Sequence, residues 1–254
     1  QPQIGASKEM ADFMVNLFST GAPHGTGFQI QIYGSPMLED LFSGMMAATS
    51  TPESSPYPEQ ARLLCRMTEK RIEYYRRGAT HDLFDNFNYR LRNYRCNISV
   101  VVPTTDIDGE ASRREVASLR EQLITTLNQY HLFKYEWEPE NLINYLALIL
   151  NPHQTLNRDY PWLSYDNGKE IRYQIISQDT KAVEDENEII YSGAGYNPVA
   201  IRAMSVRSYP KIFGLHNIGQ LLGSSTSTAI AYPCPFLITM GVTLPSYESE
   251  KNKT

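Results

Sequence analysis

The amphipathic segment from Glu59 to Gly78 limits the possible folds more than any other part of the sequence. Its apolar side chains recur at helical spacing, while most of its arginines and lysines lie elsewhere. The pattern predicts one long helix whose apolar face comprises Ala61, Leu64, Cys65, Thr68, Ile72 and Tyr75. The chain can supply a core for that face, because 254 residues with 41% apolar content can bury roughly three quarters of the unfolded surface.

Strand patterns are interleaved with further helices in the first half of the chain. We predict strands at Phe28–Tyr33 and Asn93–Val102 and a short one around Phe133–Trp137. We predict helices at Lys8–Phe18, at Met37–Ala48, from the turn at Thr104–Gly109 to about Tyr130, and from Pro139 to the residue before Asn151.

The second half of the chain is richer in strands. Phe236–Leu244 alternates so that its large apolar residues share one face, and Asn167–Gly168 is typical of a hairpin turn. We predict strands at Ser164–Asp166, Lys169–Ser177, Glu188–Tyr191 and Val199–Tyr209, and a short helix at Phe213–Leu222. The expected fold class is therefore α+β, with mostly antiparallel sheet covered by long helices.

Charge and motifs favour no particular chemistry. With 23 basic and 28 acidic side chains, no global field attracts nucleic acid or an anionic membrane. The three cysteines are far apart in sequence, which argues against a disulfide framework or a zinc ribbon. The glycine clusters Gly21–Gly27 and Gly219–Gly223 are not followed by the lysine of a phosphate-binding loop.

An acidic run offers one candidate cation site. Asp106, Asp108, Gly109 and Glu115 match EF-hand positions if Thr104 is counted first. An EF-hand loop, however, follows a helix and begins with Asp, whereas here a strand is predicted before a threonine. We therefore expect a strand-to-helix turn whose carboxylates favour the helix N-terminus, and we expect no metal or cofactor in this chain.

Several segments in order form a characteristic set. They include the helix at 61–84, ARLLCRMTEKRIEYYRRGATHDLF, the stretch WEPENLINYLALILNP from Trp137 and the closing YPCPFLITMGVTLP from Tyr232. Together these segments resemble the N-terminal region of the TraC family, the pilus-assembly ATPases of F-type conjugative type IV secretion systems. The resemblance covers nearly the whole chain. It implies a helix and turn at 1–27, one α+β domain at 28–245 that can be divided into 28–152 and 164–245, and a polar tail at 246–254. The chain would then be a fragment, with the ATPase domain beyond it.

The resemblance implies a role without catalysis in this chain, which would be a docking and oligomerisation domain. ATP and Mg²⁺ would bind only the ATPase domain, and the partners would be inner-membrane secretion components and other copies of the protein. The location would be cytoplasmic, at the inner membrane of a Gram-negative bacterium. The partner-binding residues that we predict are Arg66, Arg71, Tyr74, Phe213 and Leu221.

Two other functions stay open at the level of sequence. Basic residues and tyrosines of the long helix could contact nucleic acid in a conjugation protein, although a solvated, ion-paired face would have the same composition. A free-standing enzyme is the third hypothesis, since catalytic groups can be distant in sequence.

Overall fold

The computed structural model describes residues 22–47, 49, 55–83, 90–104, 106, 108–129, 135–157, 162–208 and 232–245, together with 12 and 15. Its helices are α1 (Glu39–Ala47), α2 (Pro58–Gly78), α3 (Glu110–Gln129), α4 (Pro139–Leu150), α5 (Pro152–Asn157) and α6 (Ile171–Ile175). Its strands are β1 (Gly27–Ser35), β2 (Asn93–Val101), β3 (Lys181–Asp185), β4 (Glu188–Ser192), β5 (Val199–Ile201) and β6 (Phe236–Thr243). The predicted α+β class, with helices dominating the first half and strands the second, is confirmed.

The chain divides into two compact units that are discontinuous in sequence. The first comprises residues 1–34, 94–135 and 236–254, and the second comprises residues 35–93 and 136–235. No helix in the described parts of either unit is long and apolar enough to cross a membrane.

The first unit contains a three-stranded sheet in the order β2-β1-β6. β1 and β6 are antiparallel, and their register places Phe28 opposite Val242 and Gly34 opposite Phe236. A side chain at Gly34 would place its Cβ 2.9 Å from the Phe236 ring, so this pairing requires a glycine. Phe28, only 2% exposed, is the most deeply buried aromatic side chain of this unit among the described residues.

The second unit contains two apolar clusters and a second sheet. One cluster joins α1 and α2 through Leu38, Phe42, Ile72 and Ala79. The other joins α4 and α6 through Ile143, Ala147 and Ile175. The second sheet is antiparallel, in the order β3-β4-β5.

The predicted hairpin at Asn167–Gly168 is wrong, because the loop there is closed by side chains. The Asp166 carboxylate accepts the Gly168 N–H at 2.9 Å. The Gln174 side chain accepts the Asp166 N–H and donates to the carbonyls of Asp166 and Lys169, at 2.8 to 2.9 Å. These bonds take the place of a strand ladder, and the following residues form α6.

Other boundaries differ from the expectation or lie outside the described residues. The hairpin of this region is β3–β4, β5 ends at Ile201, and Tyr135–Trp137 have no regular structure. The predicted helix at Phe213–Leu222 lies outside the described residues, as does Lys8–Phe18 except for positions 12 and 15. The domain boundaries proposed from the sequence stay a prediction.

Candidate docking surface

Helix α2 is fixed to the protein by one side of its C-terminal half. Proline at the first helical position and Glu59 in the first turn favour the start of this helix, and Arg76 and Arg77 in its last turn suit the negative end of the helix dipole. Ile72 of α2, and Ala79 immediately after the helix end, pack against Leu38 and Phe42. Ile72 and Ala79 are each less than 7% exposed. The helix is thereby anchored by a small apolar cluster.

A charged contact supplements this packing. The Arg76 guanidinium donates two hydrogen bonds to the Glu39 carboxylate, at 3.0 and 2.8 Å, and its carbon lies 5.6 Å from the centre of the Phe42 ring. The bond to Glu39 raises the pKa of Arg76 above its already high ordinary value. Because this geometry is bidentate, it fixes the orientation of α1 on α2 as well as their proximity.

The opposite side of α2 carries large apolar side chains in contact with solvent. Leu63 is 59% exposed, Met67 53% and Tyr74 47%. Leu63 and Met67 are four positions apart, and Tyr74 follows seven positions later. At helical spacing they therefore form one stripe, which points away from Ala61 and Ile72. A helix with one apolar face packed and a second one exposed is a candidate for binding another chain.

Leu64 was predicted to lie on the buried face, and this prediction is wrong. Its side chain is 57% exposed. The reason is the length of the covering helix, because α1 has nine residues and α2 has 21, about 14 Å against about 32 Å. The described contacts of α1 fall on the second half of α2, which leaves Leu64 uncovered.

Three arginines flank the exposed stripe. Arg66 and Arg77 lie on one flank and Arg71 on the other, all three exposed. Among the residues that the structure describes, none of these three guanidinium groups takes part in an ion pair. We call the set of Leu63, Arg66, Met67, Arg71, Tyr74 and Arg77 the outward face of α2.

Neighbouring charges on α2 are neutralised locally. Arg62 pairs with Glu59 at 3.0 Å and Lys70 with Glu73 at 2.7 Å. The hydrogen bond between Lys70 and Glu73 lowers the pKa of the carboxyl group and raises that of the ammonium group. The positive charge left for a partner is therefore concentrated on the arginines of the outward face.

Tyr74 is held in position at the C-terminal end of the stripe. Its hydroxyl donates to the Leu83 carbonyl at 3.0 Å, and its ring centre is 5.8 Å from that of Tyr75. Leu83 packs directly on Gly78, where a Cβ would lie 2.5 Å from a Leu83 methyl group. A fixed aromatic side chain loses little conformational entropy when a partner covers it.

The structure thus brings Arg66, Arg71 and Tyr74 together on one exposed face, as the sequence predicted. Their role as partner-binding residues stays a prediction. Phe213 and Leu221, the other predicted contact residues, lie outside the described residues. Sequence reasoning missed Leu63 and Met67, although their spacing of four was a signal for a second apolar stripe.

The glycine turn before β1 does not fit a phosphate group. Gly25 has a φ of 86° and its N–H donates to the Leu244 carbonyl at 3.0 Å, while the Thr26 N–H donates to Pro23. A phosphate cradle needs such N–H groups to be free. No nucleotide step can therefore be assigned to this turn, and Gly219–Gly223 lies outside the described residues.

The acidic run has the geometry of a turn that begins a helix. Asp106 accepts the Asp108 N–H at 3.2 Å, Arg113 donates to the Asp108 carboxylate at 3.1 Å, and α3 begins at Glu110. β2 precedes the turn, as predicted. Within the described ranges, no group of three or more His, Cys, Asp or Glu side chains is arranged to hold a metal ion.

Comparison with known proteins gives one result. A family model of F-type type IV secretion, described as TraC protein, matches residues 1–254, which is the whole chain. Neither the curated proteins nor the solved structures give a match. The chain therefore belongs to the TraC family and has a role in type IV secretion and conjugation.

Proposed function

We propose that this member of the TraC family is a docking and oligomerisation domain of a type IV secretion ATPase, and that it performs no catalysis itself. ATP hydrolysis, with its Mg²⁺, would take place in a separate domain. This chain would connect that hydrolysis to the assembly of the conjugative pilus and to DNA transfer. Its partners would be inner-membrane components of the secretion system and other copies of the protein, in the cytoplasm of a Gram-negative cell.

The observation that carries the proposal is the outward face of α2. Exposed apolar side chains at the centre, with arginines and a tyrosine beside them, have the composition of protein-binding hot spots. The same helix is packed against α1 on its other side, so a force applied to the outward face reaches a core. A domain that transmits position requires this combination and no reactive group.

The test is recruitment of the full-length protein to the secretion complex in donor cells. Reversing the charge of the outward face with Arg66→Glu and Arg71→Glu is expected to lower co-purification with inner-membrane secretion components at least about tenfold, because like charges would then face the partner. The matched control is Arg113→Glu with Arg114→Glu, which makes the same charge change on exposed positions of α3. Unchanged recruitment together with unchanged self-association of the α2 variant would contradict the proposal.

A second measurement concerns catalysis. Purified 1–254 chain is expected to release no inorganic phosphate from Mg-ATP above the rate of a blank. Phosphate release that is abolished by substitutions within this chain would favour the enzyme hypothesis. Binding of the chain to DNA that falls steeply between 50 and 200 mM salt would favour nucleic-acid contact, since the exposed arginines would then be neutralising phosphates.

A further inference from the structure

A second exposed patch of opposite charge lies on the hairpin formed by β3 and β4. The two strands pair from Lys181 opposite Ser192 to Asp185 opposite Glu188, and Glu186 in the turn has a φ of 49°. A tight turn fixes the residues on both sides of it, so the tip presents its side chains in a defined arrangement.

The tip of this hairpin carries uncompensated negative charge. Glu184, Asp185 and Glu186 are consecutive and exposed. Within the described part of the chain, none of these three carboxylates takes part in an ion pair, whereas Glu188 is paired with Arg202. Three carboxylates thus remain available at one end of the sheet.

Apolar side chains accompany the acidic tip. Ile189 is opposite Glu184 in the register, lies on the same face of the hairpin and is 43% exposed, whereas Val183 lies with Asp185 on the other face and is 59% exposed. We call Val183, Glu184, Asp185, Glu186 and Ile189 the acidic tip. It has the same character as the outward face of α2, apolar contact area beside three charges of one sign, but with the sign reversed.

We propose that the acidic tip of one copy of this chain binds the outward face of α2 in a second copy. This inference rests on the proposed function and identifies one of its partners. Three carboxylates match three arginines, all six without an ion pair in the part of the chain that the structure describes, and the exposed Ile189, on the same face of the hairpin as Glu184, matches the apolar stripe of Leu63 and Met67. Because every copy exposes both patches, contacts between copies can cover both patches without any other protein.

The contact would be head-to-tail, because it joins two different surfaces. Such a contact leaves a pair of copies with one free patch of each kind, so it either closes into a ring or continues as a filament. Electrostatic attraction between exposed patches is screened within about 10 Å at 0.1 M salt, so the association is expected to weaken as salt rises.

Complementary charge reversal tests the contact directly. Variant A carries Arg66→Glu, Arg71→Glu and Arg77→Glu, and variant B carries Glu184→Lys, Asp185→Lys and Glu186→Lys. Each alone opposes like charges across the contact, so each is expected to self-associate at least about tenfold more weakly than the native chain in sedimentation velocity at 50 mM salt. An equimolar mixture is expected to assemble again, because each contact between A and B pairs opposite charges.

A chain that carries all six reversals is expected to self-associate by itself, which makes the prediction specific to this pair of surfaces. The control variant carries Arg113→Glu, Arg114→Glu and Arg120→Glu on α3, with the same charge change as variant A, and is expected to assemble like the native chain. Circular dichroism monitors folding. If a reversal unfolds the chain, neutral versions with Gln or Asn at the same positions take its place, each expected to weaken association.

The inference is overturned if the native chain stays monomeric at low salt, or if variant A alone and variant B alone each assemble as well as the native chain. It is also overturned if the folded mixture of A with B and the six-reversal chain both remain monomeric. Failure here leaves the proposed function separately measurable. Variant A with normal self-association but lost recruitment to the inner-membrane complex would mean that the outward face binds another protein. Loss of self-association with normal recruitment would assign the outward face to contact between copies alone.

Discussion

A single buried amide, Asn151, joins α4 to the segment that follows α6. Its side-chain N–H groups donate to the carbonyls of Ala147 and Ile175 at 2.9 and 2.8 Å, and its oxygen accepts from Ser177 N–H and the Thr180 hydroxyl at 3.0 and 2.8 Å. Asn151 is 2% exposed, and these four bonds use its full hydrogen-bonding capacity. Only an amide side chain has these two donors and two acceptor sites, and glutamine would place them one methylene further from the backbone.

Asn151→Asp is therefore expected to lower the free energy of unfolding at pH 7 by about 3 kcal/mol, because a carboxylate would face two carbonyl oxygens in a buried site. Urea denaturation measures the change. Asn167→Asp makes the same chemical change at an exposed turn and is expected to alter stability by less than about 0.5 kcal/mol. Equal effects of the two substitutions would contradict the role given to Asn151.

Burial also makes one histidine a determinant of acid stability. His153 is fully buried beside the Tyr196 ring, with ring centres 5.5 Å apart, and burial lowers its pKa. In the unfolded chain the histidine has a pKa of about 6.5, so as the pH falls it takes up a proton there before it does in the folded chain. The stability that is present above about pH 6.5 is therefore lost as the pH falls towards the lower pKa of the folded state. Urea denaturation at pH 7.5 and at pH 5 measures the drop in unfolding free energy, which is expected to be smaller in His153→Leu than in the native chain.

At the level of helices and strands, two glycines have opposite expected effects. Gly44 is exposed within α1, and a Cβ there would meet nothing within 4 Å. Gly193 follows β4, and a Cβ there would lie 2.6 Å from the Nε2 atom of the buried His153. Gly44→Ala is expected to raise the free energy of unfolding by up to about 1 kcal/mol and with it the melting temperature. Gly193→Ala is expected to lower the free energy of unfolding by about 1–3 kcal/mol, and the melting temperature should fall. Calorimetry that gives both changes the same sign would contradict this assignment.

The strands that the sequence predicted well are those whose alternation matches a single buried face. In β6, Phe236, Ile238 and Val242 are half-buried at spacings of two and four, which fit the alternation visible in the sequence, although Met240 between the last two is 47% exposed. β3 escaped detection because all of its residues are exposed, so no buried face imposes alternation on it. The hairpin turn also failed as a signal, since Asn167–Gly168 lies in a loop that Gln174 closes from eight residues away.

The candidate site was predictable in part for a similar reason. Periodicity shows which residues of α2 share a face, and Arg66, Arg71 and Tyr74 follow from it. It does not show how much of that face a neighbouring helix covers, because the contact depends on the length and position of α1. Leu64 is misplaced by periodicity for this reason, and the sequence does not indicate the acidic tip because β3, exposed on both faces, has no alternating pattern.

At the scale of the whole chain, the packing that stabilises the fold and the proposed docking surface lie on opposite sides of α2. The buried side, with Ile72 at 6% exposure, contributes to folding, while Leu63 and Met67 are more than half exposed and contribute little to it. Such exposed side chains have a cost in solubility, and their presence in one stripe is consistent with the proposed docking role.

Substitution on each side of α2 should therefore separate the two roles. Leu63→Ser with Met67→Ser is expected to change the free energy of unfolding by less than about 0.5 kcal/mol yet to reduce recruitment of the full-length protein to the secretion complex or its self-association, because the apolar area of the contact is lost. Ile72→Ala is expected to cost about 2–5 kcal/mol of stability, because it leaves a cavity between α1 and α2. At a temperature where the Ile72→Ala variant is still folded, its binding should approach that of the native chain. If the serine variant instead loses stability and keeps its binding, the stripe belongs to the core and the outward face of α2 is not a docking surface.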